Sequence, residues 1–198
     1  MKVAPPTLAI YWQAEVTKTE TKKLVRRTRK YRCRSFVGNF LRTLHMQMST
    51  TAATITDTAA SSFTAATNSV NFSVSFTATD HQEGIVLGTG TTAVTAADYV
   101  LATLITDGVG AGQLDYPAST TVGSLAIGSS TAAYDISRSF ANSSGGSITV
   151  QEIGLVCGVD ETGAPGTRSV LMIRDLTGGI AVGNGQTLTV TYTITTTI

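Results

Sequence analysis

Hydrophobic and polar residues alternate along much of this chain with a period of two. In the run 8–17, Leu8, Ile10, Trp12, Ala14 and Val16 fall on one side, and Ala9, Tyr11, Gln13, Glu15 and Thr17 on the other. This alternation predicts a half-buried strand, and Pro5-Pro6 keeps the preceding chain extended. Val70, Phe72, Val74 and Phe76 repeat the pattern against Asn71, Ser73, Ser75 and Thr77, predicting another strand with its apolar face inward. Shorter apolar runs follow at 84–88, at Leu125/Ile127, Tyr134/Ile136 and Ile148/Val150, and at 170–173. The last strand carries Leu188, Val190, Tyr192 and Ile194 among threonines. The inward phase slips at Gln151-Glu152, which predicts a β-bulge, and residues 142–146 (Asn-Ser-Ser-Gly-Gly) read as a hairpin loop.

Two segments break this period. Phe36, Phe40, Leu44 and Met48, reinforced by Val37 and Leu41, recur at helical spacing and predict an amphipathic helix over 36–48 capped by Ser35. Asn39, Arg42, Thr43 and Gln47 fall on its polar side. Thr95 to Tyr99 predicts a single helical turn with Asp98 near its positive end. The expected architecture is mainly β: an antiparallel, jelly-roll-like β-sandwich with one short helix and an extended basic N-terminal arm. The arm is expected over 1–34 with its strand at 8–17, the helix over 35–48, and the sandwich body over 49–198.

Charge sharpens that division. Residues 1–50 hold eleven Lys and Arg against Glu15 and Glu20, a net +9. The other 148 residues hold Arg138, Arg168 and Arg174 against eleven carboxylates, a net −8. Such asymmetry marks a basic segment made for an acidic partner. Charged residues are only 14% of the chain, and the Ser/Thr/Gly/Ala-rich surface that results suits packing against copies of itself. Cys33 and Cys157 are read as free thiols. No leader-like segment opens the chain and no apolar run reaches the roughly 20 residues of a membrane helix, so a soluble protein made in the cytoplasm, without a membrane partner, is expected.

No residue constellation calls for catalysis. His45 and His81 lack zinc-ligand spacing, and no G-x-S-x-G elbow is present. Gly88-Thr-Gly90 and Gly108-Val-Gly-Ala-Gly112 lack the Lys-Ser/Thr ending of a phosphate loop and read as turns. No enzyme activity, cofactor or metal is expected.

Residues 147–155 (Ser-Ile-Thr-Val-Gln-Glu-Ile-Gly-Leu), 171–175 (Leu-Met-Ile-Arg-Asp) and 184–194 (Asn-Gly-Gln-Thr-Leu-Thr-Val-Thr-Tyr-Thr-Ile) resemble the C-terminal half of small virion structural proteins of tailed bacteriophages. Gly84–Gly90, Ala97–Tyr99 and Arg34–Val37 add weaker pieces of the same likeness. The resemblance implies a non-enzymatic component of a phage particle (a head–tail, tail or capsid accessory protein), placed in the virion beside other structural proteins. It says nothing about the N-terminal strand and most of the basic run.

The basic run therefore rests on physics. The favoured reading is an arm docking on a neighbouring subunit, with strand 8–17 extending the neighbour's sheet and the cations meeting its acidic body in a ring or lattice. Ile10, Tyr11 and Trp12 are the expected anchors, and Arg26, Arg27, Arg29, Lys30, Arg32 and Arg34 the electrostatic clamp. Glu152 and Arg174 each interrupt an apolar strand, and pair either within the domain or across a subunit boundary as further subunit contacts. The alternatives are a plain solvated face, a nucleic-acid packaging protein using the arm on phosphates, and a glycan-binding fibre module built on Tyr99, Tyr116 and Tyr134.

Overall fold

The computed structural model describes residues 7–33, 35–49, 51–67, 72–74, 80–163 and 167–197. Among these the chain forms strands β1 (Thr7–Lys18), β2 (Leu24–Arg27) and β3 (Tyr31–Arg32), then helix α1 (Gly38–Ser49). Strands β4 (Thr54–Thr56), β5 (Ser62–Thr64), β6 (Gly84–Gly88), β7 (Thr121–Val122) and β8 (Ala126–Ile127) follow. Long strands close the chain: β9 (Thr131–Asn142), β10 (Ile148–Asp160), β11 (Thr167–Val182) and β12 (Gln186–Thr197). All pairing between strands is antiparallel. A seven-stranded sheet runs β2-β1-β12-β9-β7, with β3 also on β1 and β8 also on β9; a second sheet runs β11-β10-β6, and β4-β5 pair alone.

The two larger sheets contribute to one apolar core. Ile10, Trp12, Phe140, Val190 and Tyr192 come from the first, and Ile85, Ile153, Leu155 and Met172 from the second. The alternation read from sequence in β1 and β12 is the pattern that this core uses from Ile10 onward: Ile10, Trp12, Ala14 and Val16 are buried, as are Leu188, Val190 and Tyr192, whereas at the start of β1 Leu8 is exposed and Ala9 buried. The register slip foreseen at Gln151-Glu152 is present between Val150 and Glu152. Cys33 and Cys157 are free and buried. Burial drives both thiols far above their ordinary pKa, so neither offers a thiolate at neutral pH.

Four expectations are corrected. The N-terminal strand is not a free arm, because β1 pairs with β12 along its whole length, from Thr7 opposite Thr197 to Lys18 opposite Gln186. Its other edge is taken by β2 and β3, with Thr28 bonded to Gln13 and Ala14 between them. Ser35 does not cap a helix: residues 35–37 lie along β11, where Val37 N–H donates to Met172 and Ser35 accepts from Arg174. The helix is also rotated from the expected orientation: of the expected face within α1 only Phe40 packs on the core. Asn39, Thr43 and Met46 are buried, with the Asn39 amide donating to the Thr56 carbonyl at 2.9 Å, while Leu41 and Met48 stay 63% and 79% exposed. The 142–146 segment is not a hairpin loop, because β9 and β10 belong to different sheets. It is a corner between sheets, pinned by the buried Asn142 amide donating to the Gly146 and Val182 carbonyls. Most of the strand expected over 70–76 lies outside the described residues; within them Val74 is buried, and Phe72 sits at a positive φ of 76°.

Candidate functional site

The eleven residues expected at subunit contacts divide into three groups. Ile10 and Trp12 are core residues, and Trp12 stacks on Tyr31 at 4.7 Å across the β1–β3 pair. Tyr11 is half-buried opposite Arg32 and Thr193. None of the three is free to anchor a neighbour, because their own sheet has already taken them.

The cations form the second group. Arg26, Arg27, Arg29, Lys30 and Arg32 are exposed, and Lys18, Lys22 and Lys23 extend the same rim. Arg34 lies outside the described residues. The β2 strand is exposed at every position, so its arginines project to both faces of the sheet edge. Among the described residues this rim makes one ion pair, Arg27 to Glu15 at 2.6 Å. Arg29 lies over the Tyr31 ring at 4.8 Å, and Arg26 reaches the Gly179 carbonyl of β11 only at 3.5 Å. Arg29, Lys30, Tyr31, Arg32 and Ser35 line an open cleft of about 690 Å³ together with Trp12, Ala93, Val94, Asp175 and Leu176.

Glu152 and Arg174 are the third group, and they pair inside the chain. Arg174 Nε donates to Glu152 Oε2 at 2.7 Å, with Glu152 at 0% and Arg174 at 2% exposure. The other guanidinium nitrogens reach Asp98 at 2.6 Å and the carbonyl and hydroxyl of Thr92. Glu152 in turn accepts the backbone N–H groups of Gly90, Ala102 and Thr103. One buried ion pair thus ties the segment 90–103 down over the outer face of the β11-β10-β6 sheet. Burial opposes the charge on Asp98, but the bonds from Thr95 and Arg174 outweigh it and hold its pKa below the ordinary value. The Gly-Thr-Gly of 88–90 has its explanation here too. A Cβ on Gly88 would stand 2.5 Å from Glu152 Oε1, and one on Gly90 would stand 2.4 Å away. The glycines make room for a carboxylate of the protein, not for a phosphate.

Sequence reasoning missed Arg138. It shares the inward face of β9 with Ile136 and Phe140, and it is buried without a carboxylate partner among the described residues. Its guanidinium donates to the carbonyls of Ala118, Glu83 and Ile85 and lies 4.8 Å from the Tyr116 ring. The signal was a charge at the inward phase of an apolar strand, the same signal that singled out Glu152 and Arg174.

Part of the acidic body is used inside the chain. Glu152 and Asp98 belong to Arg174, Asp57 and Glu161 to Arg168, and Asp175 is buried. Five of the eleven carboxylates behind the −8 are therefore already committed or enclosed. Nor do the three tyrosines make a shared platform, since Tyr116 is fully buried and Tyr134 packs on the core.

The far edge of the seven-stranded sheet is as exposed as the basic rim but carries no charge. Short strands β7 and β8 run end to end along β9, and every residue from 121 to 130 is exposed. No charge occurs between Asp115 and Asp135. Val122, Leu125 and Ile127 are 51%, 59% and 76% exposed. Ile127, Ala132, Thr196 and Leu8 stand opposite one another in one row across four strands, roughly 14 Å wide. Leu8, at 71% exposure, ends that row over an apolar cleft of about 420 Å³ lined by Ile10, Phe36, Phe72, Tyr134 and Ile194.

No family model, curated protein or solved structure matches this chain. Among the described residues no group of His, Cys, Asp and Glu is placed to hold a metal ion, and no helix is long and apolar enough to cross a membrane.

Proposed function

We propose that this chain is a non-enzymatic structural component of a tailed-phage particle, assembling with copies of itself through the outer edge of its larger sheet. On this reading the two larger sheets are the layers of a jelly-roll-like sandwich, and the phage-like segments are its strands β10, β11 and β12. The observation that carries the proposal is the uncharged, exposed edge at 121–127. Sheet edges that must stay single are blunted by charge, as Arg26 and Arg27 blunt the opposite edge. An edge that instead presents Leu125 and Ile127 beside unpaired backbone is suited to strand addition, with main-chain bonds for affinity and apolar side chains for burial.

Two copies meeting at identical edges close as a two-fold dimer. A larger ring or lattice needs a second contact, and the exposed face of α1 with Leu41, Leu44 and Met48 supplies an apolar one. The expected result for the native chain in light scattering is a mass that is a multiple of 20.6 kDa. Placing carboxylates in the edge with Leu125→Asp and Ile127→Asp is expected to reduce that mass while leaving the circular dichroism spectrum unchanged. A native chain that is monomeric, or a double variant that keeps the full mass, rejects the edge as the contact.

A further inference from the structure

The basic rim has a separate use. We infer that it binds the phosphate backbone of nucleic acid without sequence preference. Lys18, Lys22, Lys23, Arg26, Arg29, Lys30 and Arg32 are gathered on one edge of one sheet by the β1–β2 turn and the β2–β3 connection, and all are exposed. Among the described residues Arg27 alone forms an ion pair there, with Glu15, and the β1–β2 turn holds one further carboxylate, Glu20. So many like charges side by side repel one another, and a surface of this kind persists where a dense anion offsets the repulsion.

Two candidates supply such an anion: the acidic body of another copy, and a polyphosphate chain. The first is weakened by the internal use of Glu152, Asp98, Asp57 and Glu161, which are tied to Arg174 and Arg168 of their own chain. A nucleic acid carries its charges at close, regular spacing on the outside, which is what an exposed row of flexible cations matches. Base reading is not provided for. The one aromatic interleaved with the cations, Tyr31, is stacked on Trp12 and covered by Arg29, so its ring is not free for a base. Contacts are therefore to phosphate and position the chain without reading sequence. The cleft beside the rim carries Arg29, Lys30 and Arg32 on its walls and one carboxylate, the buried Asp175, so the exposed cations of the rim and not the cleft supply the phosphate contacts.

The test is fluorescence anisotropy of labelled DNA, a random-sequence duplex and an oligo-dT strand in parallel, titrated with the full chain at several salt concentrations. About five phosphate contacts give a log–log salt slope near −4.5 and an affinity loss on the order of 10²–10³ between 50 and 200 mM salt. Combining Lys22→Gln, Lys23→Gln, Arg26→Gln and Lys30→Gln is expected to flatten that slope to about −1 and to weaken low-salt binding by at least about 100-fold. Arg42→Gln, on the exposed side of α1, is expected to change the slope by less than one contact's worth. The stronger of the two DNA responses tells whether the groove of a duplex or a single strand is followed. Binding that ignores salt, a quadruple variant that binds like the native chain, or a native chain that binds neither DNA but does bind an acidic peptide each overturns the inference. The scattering mass of the quadruple variant is expected to equal the native mass, so failure here is distinguishable from failure of edge assembly.

Discussion

A chain lacking residues 1–33 is expected not to fold. The deletion removes β1, β2 and β3 together, three of the seven strands in the larger sheet. It exposes the whole edge of β12, whose twelve positions are paired to β1 in the native chain. It also strips Ile10, Trp12 and Val16 from the core, each 7% exposed or less. Burying a large apolar side chain contributes roughly 1.5–3 kcal/mol, so these three alone supply roughly 5–9 kcal/mol. That is comparable with the entire stability of a typical domain, roughly 5–15 kcal/mol. The truncated chain is expected to be insoluble, or to show a circular dichroism spectrum without strand signal and no cooperative melt. A soluble truncated chain with a cooperative transition would mean that the N-terminal segment is an appendage after all.

The second large effect is expected at Glu152. Glu152→Ala leaves the Arg174 guanidinium buried without its fully buried carboxylate partner, and leaves the N–H groups of Gly90, Ala102 and Thr103 without an acceptor. Breaking a buried ion pair from one side costs about 3–5 kcal/mol, because the remaining charge stays in the interior. For a chain of this length the melting temperature is then expected to fall by on the order of 10 °C. Asp98→Asn provides the contrast. Asp98 touches the same arginine, but 17% of its side chain is exposed and Asn keeps the shape and one acceptor oxygen, so the expected loss is smaller than at Glu152. Thermal melts that rank the two variants equally would remove Glu152 as the organising residue of the 90–103 segment.

The faces of strands were legible in the sequence, and their partners were not. Alternation over 8–17 identified which side of β1 is buried, since period two follows from backbone geometry alone. Nothing local states that Leu8 to Val16 lie beside residues 188 to 196, because that pairing closes a loop of most of the chain. The basic residues drew the eye to an arm, yet charge on β2 and β3 is compatible with an edge strand and suits one. The 142–146 corner carries the residues of a hairpin turn, and only the sheet assignment of β9 and β10 separates the two. The helix misled for a different reason. Leu41, Leu44 and Met48 of its apolar stripe are exposed and only Phe40 packs on the core, while Asn39 is buried with one side-chain bond to the Thr56 carbonyl and Thr43 rides on the same face. Tertiary contacts decided the rotation of α1 against its hydrophobic pattern. Charges that interrupt apolar strands proved the most reliable signal of a site: Glu152, Arg174 and Arg138 all turned out to be buried hubs.

The central claim is that the N-terminal strand belongs to its own sheet, and that copies meet at the opposite edge. Amide hydrogen exchange of the native chain, followed over a dilution series, tests both halves at once. The account predicts that amides of residues 10–16 are as protected as those of β12 at every concentration, while amides of 121–127 lose protection as the assembly dilutes apart. Protection at 10–16 that vanishes on dilution, with 121–127 unchanged, would contradict it and return the N-terminal strand to the role of an exchanged arm.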